Sequence, residues 1–166
     1  MSVLVAVLAL AVGGLVTGTG PPAAAATGAV GTICYSPHVQ NVGWMDWRCA
    51  GQSAGTVGRS LNLEAVTISA TIPRGICARA FLLNAADWQR WVCRNDDAPV
   101  TVGTVGQNRG IEALEFRLEF SAPERIRGTA HMRDVGWQNF TGWEKKIVIG
   151  SPGARRPIEA FLLEVN

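Results

Sequence analysis

Charge is scarce in this chain and nearly balanced in sign. Fifteen Lys and Arg against thirteen Asp and Glu leave a net charge of +2, and lysine occurs only at Lys145 and Lys146. A nucleic-acid-binding domain gathers its basic residues into a patch or stripe that neutralises phosphates. The composition therefore predicts no nucleic-acid partner. The length of 166 residues is enough for one domain with a substantial core.

The chain also lacks a long hydrophobic run. Val3–Val12 is continuously apolar but too short to cross a bilayer as a helix. An Ala-x-Ala sequence at residues 24–26 is typical of a signal-peptidase site, although no Lys or Arg precedes the apolar run. We predict a signal peptide over residues 1–26 and a secreted mature chain with no membrane span. An uncleaved anchor is the alternative.

Cysteine and histidine are few, and their spacing does not indicate a metal site. The four Cys and two His include neither a C-x-x-C pair nor two His at ligand spacing. We therefore predict no metal and no cofactor. Disulfides persist in exported proteins, and four cysteines allow three pairings.

A twelve-residue motif occurs three times. It reads "GTVGRSLNLEAV" from Gly55, "GTVGQNRGIEAL" from Gly103 and "GSPGARRPIEAF" from Gly150. Its glutamates are Glu64, Glu112 and Glu159, spaced 48 and 47 residues apart. Self-similarity at a fixed period indicates repeated structural units. We predict a single domain over 27–166 with units of about 30–73, 74–122 and 123–166.

The first half of each unit repeats around a tryptophan. The aligned tryptophans are Trp44, Trp88 and Trp137. Six residues before them lie His38, Leu82 and His131. Because large aromatics dominate core energetics, the repeated tryptophans favour core packing, with a stacking platform for sugar rings as the alternative.

The same alignment predicts the disulfides. Cys34 corresponds to Cys77 and Cys49 to Cys93, whereas the third unit has no cysteine at either position. Residues that are lost as a pair are most simply a bonded pair. We therefore predict Cys34–Cys49 and Cys77–Cys93, each closing a loop of roughly fifteen residues and contributing on the order of 3 kcal/mol in the chain-entropy model.

Short alternating segments indicate an all-β fold. "IEALEFRLEF" alternates apolar and polar residues from Ile111, and the Gly-x-x-Gly segments are typical of turns. No stretch of ten residues in the mature chain has a helical stripe. Three such units bury their apolar faces against one another, which predicts a pseudo-threefold, β-prism-like domain, with a β-trefoil as the alternative.

These residues resemble the clostridial hydrophobic repeat with a central tryptophan, the ChW repeat. Unit 1 has "HVQNVGW", a second Trp, "GQSAGTVG" and "LNLEAV", and unit 3 keeps "HMRDVGWQNF" and "IEAF". Unit 2 departs most, with "LLNAADWQRW". The resemblance implies an exported bacterial protein that binds an extracellular polysaccharide or surface protein, without catalysis.

The polar residues before each tryptophan are the candidate ligand contacts. They are His38, Gln40, Asn41 and Trp44 in unit 1, and His131, Arg133, Asp134 and Trp137 in unit 3. For the histidines we favour a structural bond to backbone, and for the repeated glutamates we favour carboxylates that accept N–H bonds from the Gly-x-x-Gly turns.

We predict a secreted, non-enzymatic binding module, and its oligomeric state is not determined by the sequence. One alternative is a small secreted hydrolase that uses a glutamate or Ser53, because "GQSAG" matches Gly-x-Ser-x-Gly. A glycosidase would need two carboxylates across a cleft. The other alternative is a structural or inhibitory extracellular protein.

Overall fold

The computed structural model describes residues 31–72, 75–94, 98–118 and 123–166. The predicted signal peptide, residues 1–26, lies outside the described residues. Regular structure within them is β-strand, which confirms the all-β prediction. No helix in these four ranges has the length and hydropathy of a membrane span.

Thirteen strands are described. Unit 1 forms β1 (Ile33–Val39), β2 (Gly43–Trp44), β3 (Arg48–Cys49), β4 (Ala54–Gly55) and β5 (Leu63–Ala70). Unit 2 forms β6 (Ile76–Leu82), β7 (Val92–Arg94), β8 (Val100–Gly103) and β9 (Ile111–Leu118). Unit 3 forms β10 (Ile126–Met132), β11 (Gly136–Trp137), β12 (Lys146–Gly150) and β13 (Ile158–Val165).

A long antiparallel pair forms the centre of each of three sheets. β1 pairs with β5, β6 with β9, and β10 with β13. In β6 the buried positions strictly alternate with partly exposed ones, whereas β5, β9 and β13 each begin with at least four consecutive buried residues and are therefore covered on both faces there. Each pair has a register shift at the same place, directly after His38, Phe81 and His131. This shared irregularity aligns the three units independently of their sequences.

Each sheet is completed by a strand from a different unit. β8 of unit 2 pairs with β5, β12 of unit 3 pairs with β9, and β4 of unit 1 pairs with β13. All three additions are antiparallel, and they run in cyclic order around the three units. The three sheets are therefore interlocked.

The repeated sequence motifs meet where the strands are exchanged. A Cβ on Gly103 would lie 2.3 Å from the backbone oxygen of Glu64, closer than real Cβ atoms approach, and the same 2.3 Å recurs at the other two exchanges. That glutamate oxygen also accepts a hydrogen bond from the N–H of Thr104 at 2.8 Å. The prediction that glutamate carboxylates accept the turn N–H groups was wrong, because the acceptor is the backbone carbonyl.

The core is one continuous apolar cluster drawn from all three units. Its largest aromatic members are Tyr35, Phe116 and Phe161, one from each unit, and all are fully buried. The Tyr35 hydroxyl donates to the backbone oxygen of Gln52 at 2.7 Å, and it accepts from the backbone N–H of Leu163 at 3.1 Å. This tyrosine therefore joins unit 1 to unit 3.

Both predicted disulfides are confirmed. Cys34 is bonded to Cys49 across β1 and β3, and Cys77 is bonded to Cys93 across β6 and β7. In both pairs the two cysteines are direct partners in neighbouring strands, so each bond joins a loop back to its own sheet.

In unit 3 an arginine occupies the first cysteine position. Arg127 pairs with Glu164 at 2.6 Å, and its guanidinium carbon lies 4.9 Å from the ring centre of Phe140 and 4.5 Å from that of Trp143. These cation–π contacts hold the corresponding loop by non-covalent means.

Candidate binding site

A histidine, a glutamate and a tryptophan meet at the end of the central strands of unit 1. His38 on β1 lies opposite Trp44 on β2 and Ala65 on β5. Its Nδ1 lies 3.2 Å from Oε2 of Glu64, a pair that is close but not aligned as a hydrogen bond. The imidazole meets the indole edge to face with ring centres 5.3 Å apart. The expected backbone partner for His38 was wrong, because the group beside Nδ1 is a carboxylate.

Unit 3 repeats this arrangement. His131 Nδ1 lies 3.2 Å from Oε2 of Glu159, and its ring meets Trp137 edge to face with centres 5.4 Å apart. The two histidine side chains are equally buried, each 13 % exposed. Both sites are therefore held by the same combination of a bulged strand, a two-residue partner strand and a buried carboxylate.

Unit 2 keeps the ring contact but not the polar pair. Phe81, rather than Leu82, occupies the histidine position, because Phe81 pairs with Ala113 before the register shift. It meets Trp88 edge to face with centres 5.5 Å apart. The alignment on tryptophan failed here because the following loop of unit 2 is one residue longer. Glu112 is buried, and its Oε2 has no hydrogen-bond partner within the described residues.

Two polar side chains reach from these sites to the neighbouring turn. Gln40 donates from Nε2 to Oδ1 of Asn108 at 2.5 Å and accepts from the N–H of Asn62 at 3.3 Å. Arg133 donates to the backbone oxygen of Ser60, and its Nε lies 3.7 Å from Oε1 of Glu159. Each candidate site is consequently completed by a second unit.

A cleft of about 560 Å³ opens at the junction of units 1 and 2. Unit 1 contributes His38, Gln40, Asn41, Gly43 and Glu64 to its lining. Unit 2 contributes Val105, Gly106 and Asn108. Its size is that of a site for a small ligand or a few sugar rings, and its lining combines amide, imidazole and carboxylate groups with one apolar side chain.

The predicted site residues form two separate groups, one in unit 1 and one in unit 3. His38, Gln40 and Asn41 line the cleft, and Trp44 contacts it through the ring of His38. The corresponding group in unit 3 consists of His131, Arg133, Asp134 and Trp137. Asp134 has a positive φ, as Asn41 has in unit 1. A positive φ is readily tolerated by Asn and Asp, which places both at the tip of a tight turn.

The repeated tryptophans are not core residues. Trp44 is 47 % exposed and Trp137 is 43 % exposed, so the core-packing prediction was wrong for both. Trp88 is half-buried beside Arg79, whose guanidinium carbon lies 5.0 Å from its ring centre. Trp47 and Phe140, which lie three residues after Trp44 and Trp137 respectively, are also exposed.

Sequence reasoning missed the contribution of the neighbouring turn to the cleft. Val105, Gly106 and Asn108 follow the exchanged strand β8, and Val105 is exposed. The signal for them was the second glycine of the Gly-x-x-Gly motif, which was interpreted only as a turn. Its role as a wall of another unit's site depends on the strand exchange.

The surroundings of Ser53 differ from those of a nucleophile elbow. Ser53 is exposed directly before β4, and residues 54–72 contain no helix of the kind that follows a nucleophile elbow. Among the described residues, no group of three or more His, Cys, Asp and Glu side chains is arranged to hold a metal ion.

Comparison with known families identifies one segment. Residues 38–71, which run from His38 through β5, match the family model described as Clostridial hydrophobic W. No curated protein and no solved structure matches the chain.

Proposed function

We propose that this chain is a secreted binding module of three ChW-type units, closed as a β-prism, that holds an extracellular polysaccharide through polar sites where its units meet. The observation that carries the proposal is the exposed Trp44, which contacts His38 at the edge of a polar cleft that His38 and Glu64 line. A flat exposed indole stacks on the apolar face of a sugar ring, while nearby amides and carboxylates bond its hydroxyls.

Three further observations support the proposal. The recognised segment belongs to one unit, and the same bulge and ring contact recur in the other two. Two disulfides are typical of chains that fold outside the cytoplasm. Three sheets, each built on a long strand pair with one exchanged strand, suit a prism better than the short strands of a trefoil.

Retention on the insoluble cell-wall fraction of a Gram-positive bacterium tests the proposal. We expect the wild-type chain to be retained and the double variant Trp44→Ala/Trp137→Ala to lose at least about tenfold in affinity, since each stacked ring is worth on the order of 1 kcal/mol or more. Trp88→Ala is the matched control, because it removes the same residue at the repeat position of the unit that lacks the polar pair.

Two results would contradict the proposal. One is equal retention of the wild-type chain and the double variant. The other is release of soluble sugar or ester product by the wild-type chain that Ser53→Ala or Glu64→Gln abolishes, which would favour a hydrolase.

A further inference from the structure

We propose that the chain is bivalent: units 1 and 3 each hold a site for the same repeating polymer, and unit 2 has lost its site. This inference rests on the proposed function. The inference adds to that function the number of sites, the residue change that inactivates one of them, and a partner that offers the same epitope repeatedly.

The first ground is the close agreement between units 1 and 3. The Nδ1–Oε2 distances are both 3.2 Å, and the ring-centre distances differ by 0.1 Å. Both units also expose a valine two residues before the tryptophan, Val42 and Val135. In both, a small hydroxyl side chain on the first strand donates to the backbone oxygen that follows the tryptophan, Ser36 to Met45 and Thr129 to Gln138. The agreement thus extends beyond the residues of the sequence motif.

The second ground is the coordinated loss in unit 2. Phe81 replaces the histidine, and Leu83 stands where the other units carry Gln40 and Arg133. Glu112 is retained, but its Oε2 is left without a partner in the described part of the chain. A buried polar atom without a partner opposes folding. Unit 2 therefore keeps the buried carboxylate of the site without the imidazole that faces it in units 1 and 3.

The third ground is rigidity. The Arg133 guanidinium of unit 3 bonds the Ser60 oxygen of unit 1, and β4 of unit 1 is an edge strand of the unit 3 sheet. The two sites therefore sit on one interlocked body at a fixed separation. Two rigidly linked sites gain from effective concentration only when the ligand presents its epitope more than once, as a repeating polymer does.

Unit 2 itself supplies the test substitution. His38→Phe and His131→Phe place in units 1 and 3 the residue that unit 2 carries at the same position, so the fold already accommodates the change. The probes are the insoluble cell-wall fraction of a Gram-positive bacterium and short soluble fragments of it released by muramidase. The variants are each single change, the double change and Trp88→Ala, and near-ultraviolet circular dichroism reports whether each is folded.

We expect each single variant to bind the insoluble fraction on the order of a hundredfold more weakly than wild type, and the double variant to lose binding. Titration with soluble fragments should give two sites on wild type and one on each single variant, with an unchanged Kd at the remaining site. Trp88→Ala should match wild type with both probes.

The outcomes separate this inference from the proposed function. If one single variant behaves as the double variant and the other as wild type, the chain has one site, and bivalency is wrong while the binding function stands. If all three histidine variants bind as wild type, the sites are misplaced and bivalency is wrong. If the wild-type chain binds neither probe, both proposals fail together.

Discussion

One strand position distinguishes the three units at the scale of single residues. It holds His38, Phe81 and His131, each with an aromatic ring set against the tryptophan of its unit. The identity of this ring decides whether the buried glutamate of the unit has an imidazole nitrogen beside it, as in units 1 and 3. The sequence predicted two of these three residues, and it missed Phe81 because one inserted residue in the following loop shifted an alignment based on tryptophan.

Tyr35 is the only tyrosine of the chain, and it is fully buried in the core. Burial raises its pKa from 10.0 to about 12, although backbone hydrogen bonds act in the opposite direction. The folded state thus holds the phenol proton more tightly than the unfolded state. Its contribution to stability, about 3 kcal/mol at ~1.4 kcal/mol per pH unit, is complete below pH 10 and is lost as the pH rises towards 12.

A spectrophotometric titration of tyrosinate checks this prediction. We expect a midpoint near pH 12 in the folded protein, or alkaline unfolding before that midpoint is reached, and a midpoint near 10 in denaturant. Tyr35→Phe should be less stable at neutral pH, because it loses the hydroxyl bonds to Gln52 and Leu163. It should also lack this component of the alkaline slope. A midpoint near 10 in the folded chain contradicts the assignment.

At the scale of elements, the exchanged strand and the turn that follows it explain why two sequence motifs recur together. Gly-[Thr/Ser]-x-Gly and [Leu/Ile]-Glu-Ala recur together because they are the two sides of one contact. The first glycine has a positive φ and lies directly against the glutamate carbonyl of another unit. The second glycine also has a positive φ but faces open space. The motif therefore holds one glycine for packing and one for turn geometry.

Gly103→Ala and Gly106→Ala form a matched pair that tests this distinction. Gly103→Ala should lower the free energy of unfolding by about 3 kcal/mol or more, because its Cβ would overlap the backbone oxygen of Glu64 and the Cα of Ala65, which cannot move away. Gly106→Ala should lower it by only ~1 kcal/mol, the strain of a positive φ alone. Urea denaturation at equilibrium measures both, and equal losses would show that backbone strain is the only effect.

Cyclic exchange makes the three units interdependent at the scale of the whole molecule. Every sheet has an edge strand from another unit, and the buried apolar residues form one cluster. The edge that an exchanged strand covers would otherwise expose unpaired N–H and C=O groups. Removing one unit therefore exposes a strand edge in a second unit and leaves the third with an unpaired strand.

Deleting unit 3 checks this interdependence. A chain of residues 27–122 lacks β12 on β9 and leaves β4 without the strand β13. We expect it to show no cooperative unfolding transition, whereas residues 27–166 should unfold in a single step with coincident tryptophan fluorescence and far-ultraviolet circular dichroism. A dispersed amide spectrum from the 27–122 chain would show that the units fold independently.

The sequence by itself determined the β-class, the repeat of motifs and the disulfide pairing. These features depend on local alternation and on residues that recur or disappear together, and both are visible along the chain. It did not determine that the repeated tryptophans are exposed, that Phe81 replaces a histidine, or that Val105 and Asn108 complete a cleft of unit 1. Only the tertiary structure decided these, because exposure and partnership depend on which unit's strand completes which sheet, and strand exchange pairs residues that no spacing along the chain relates.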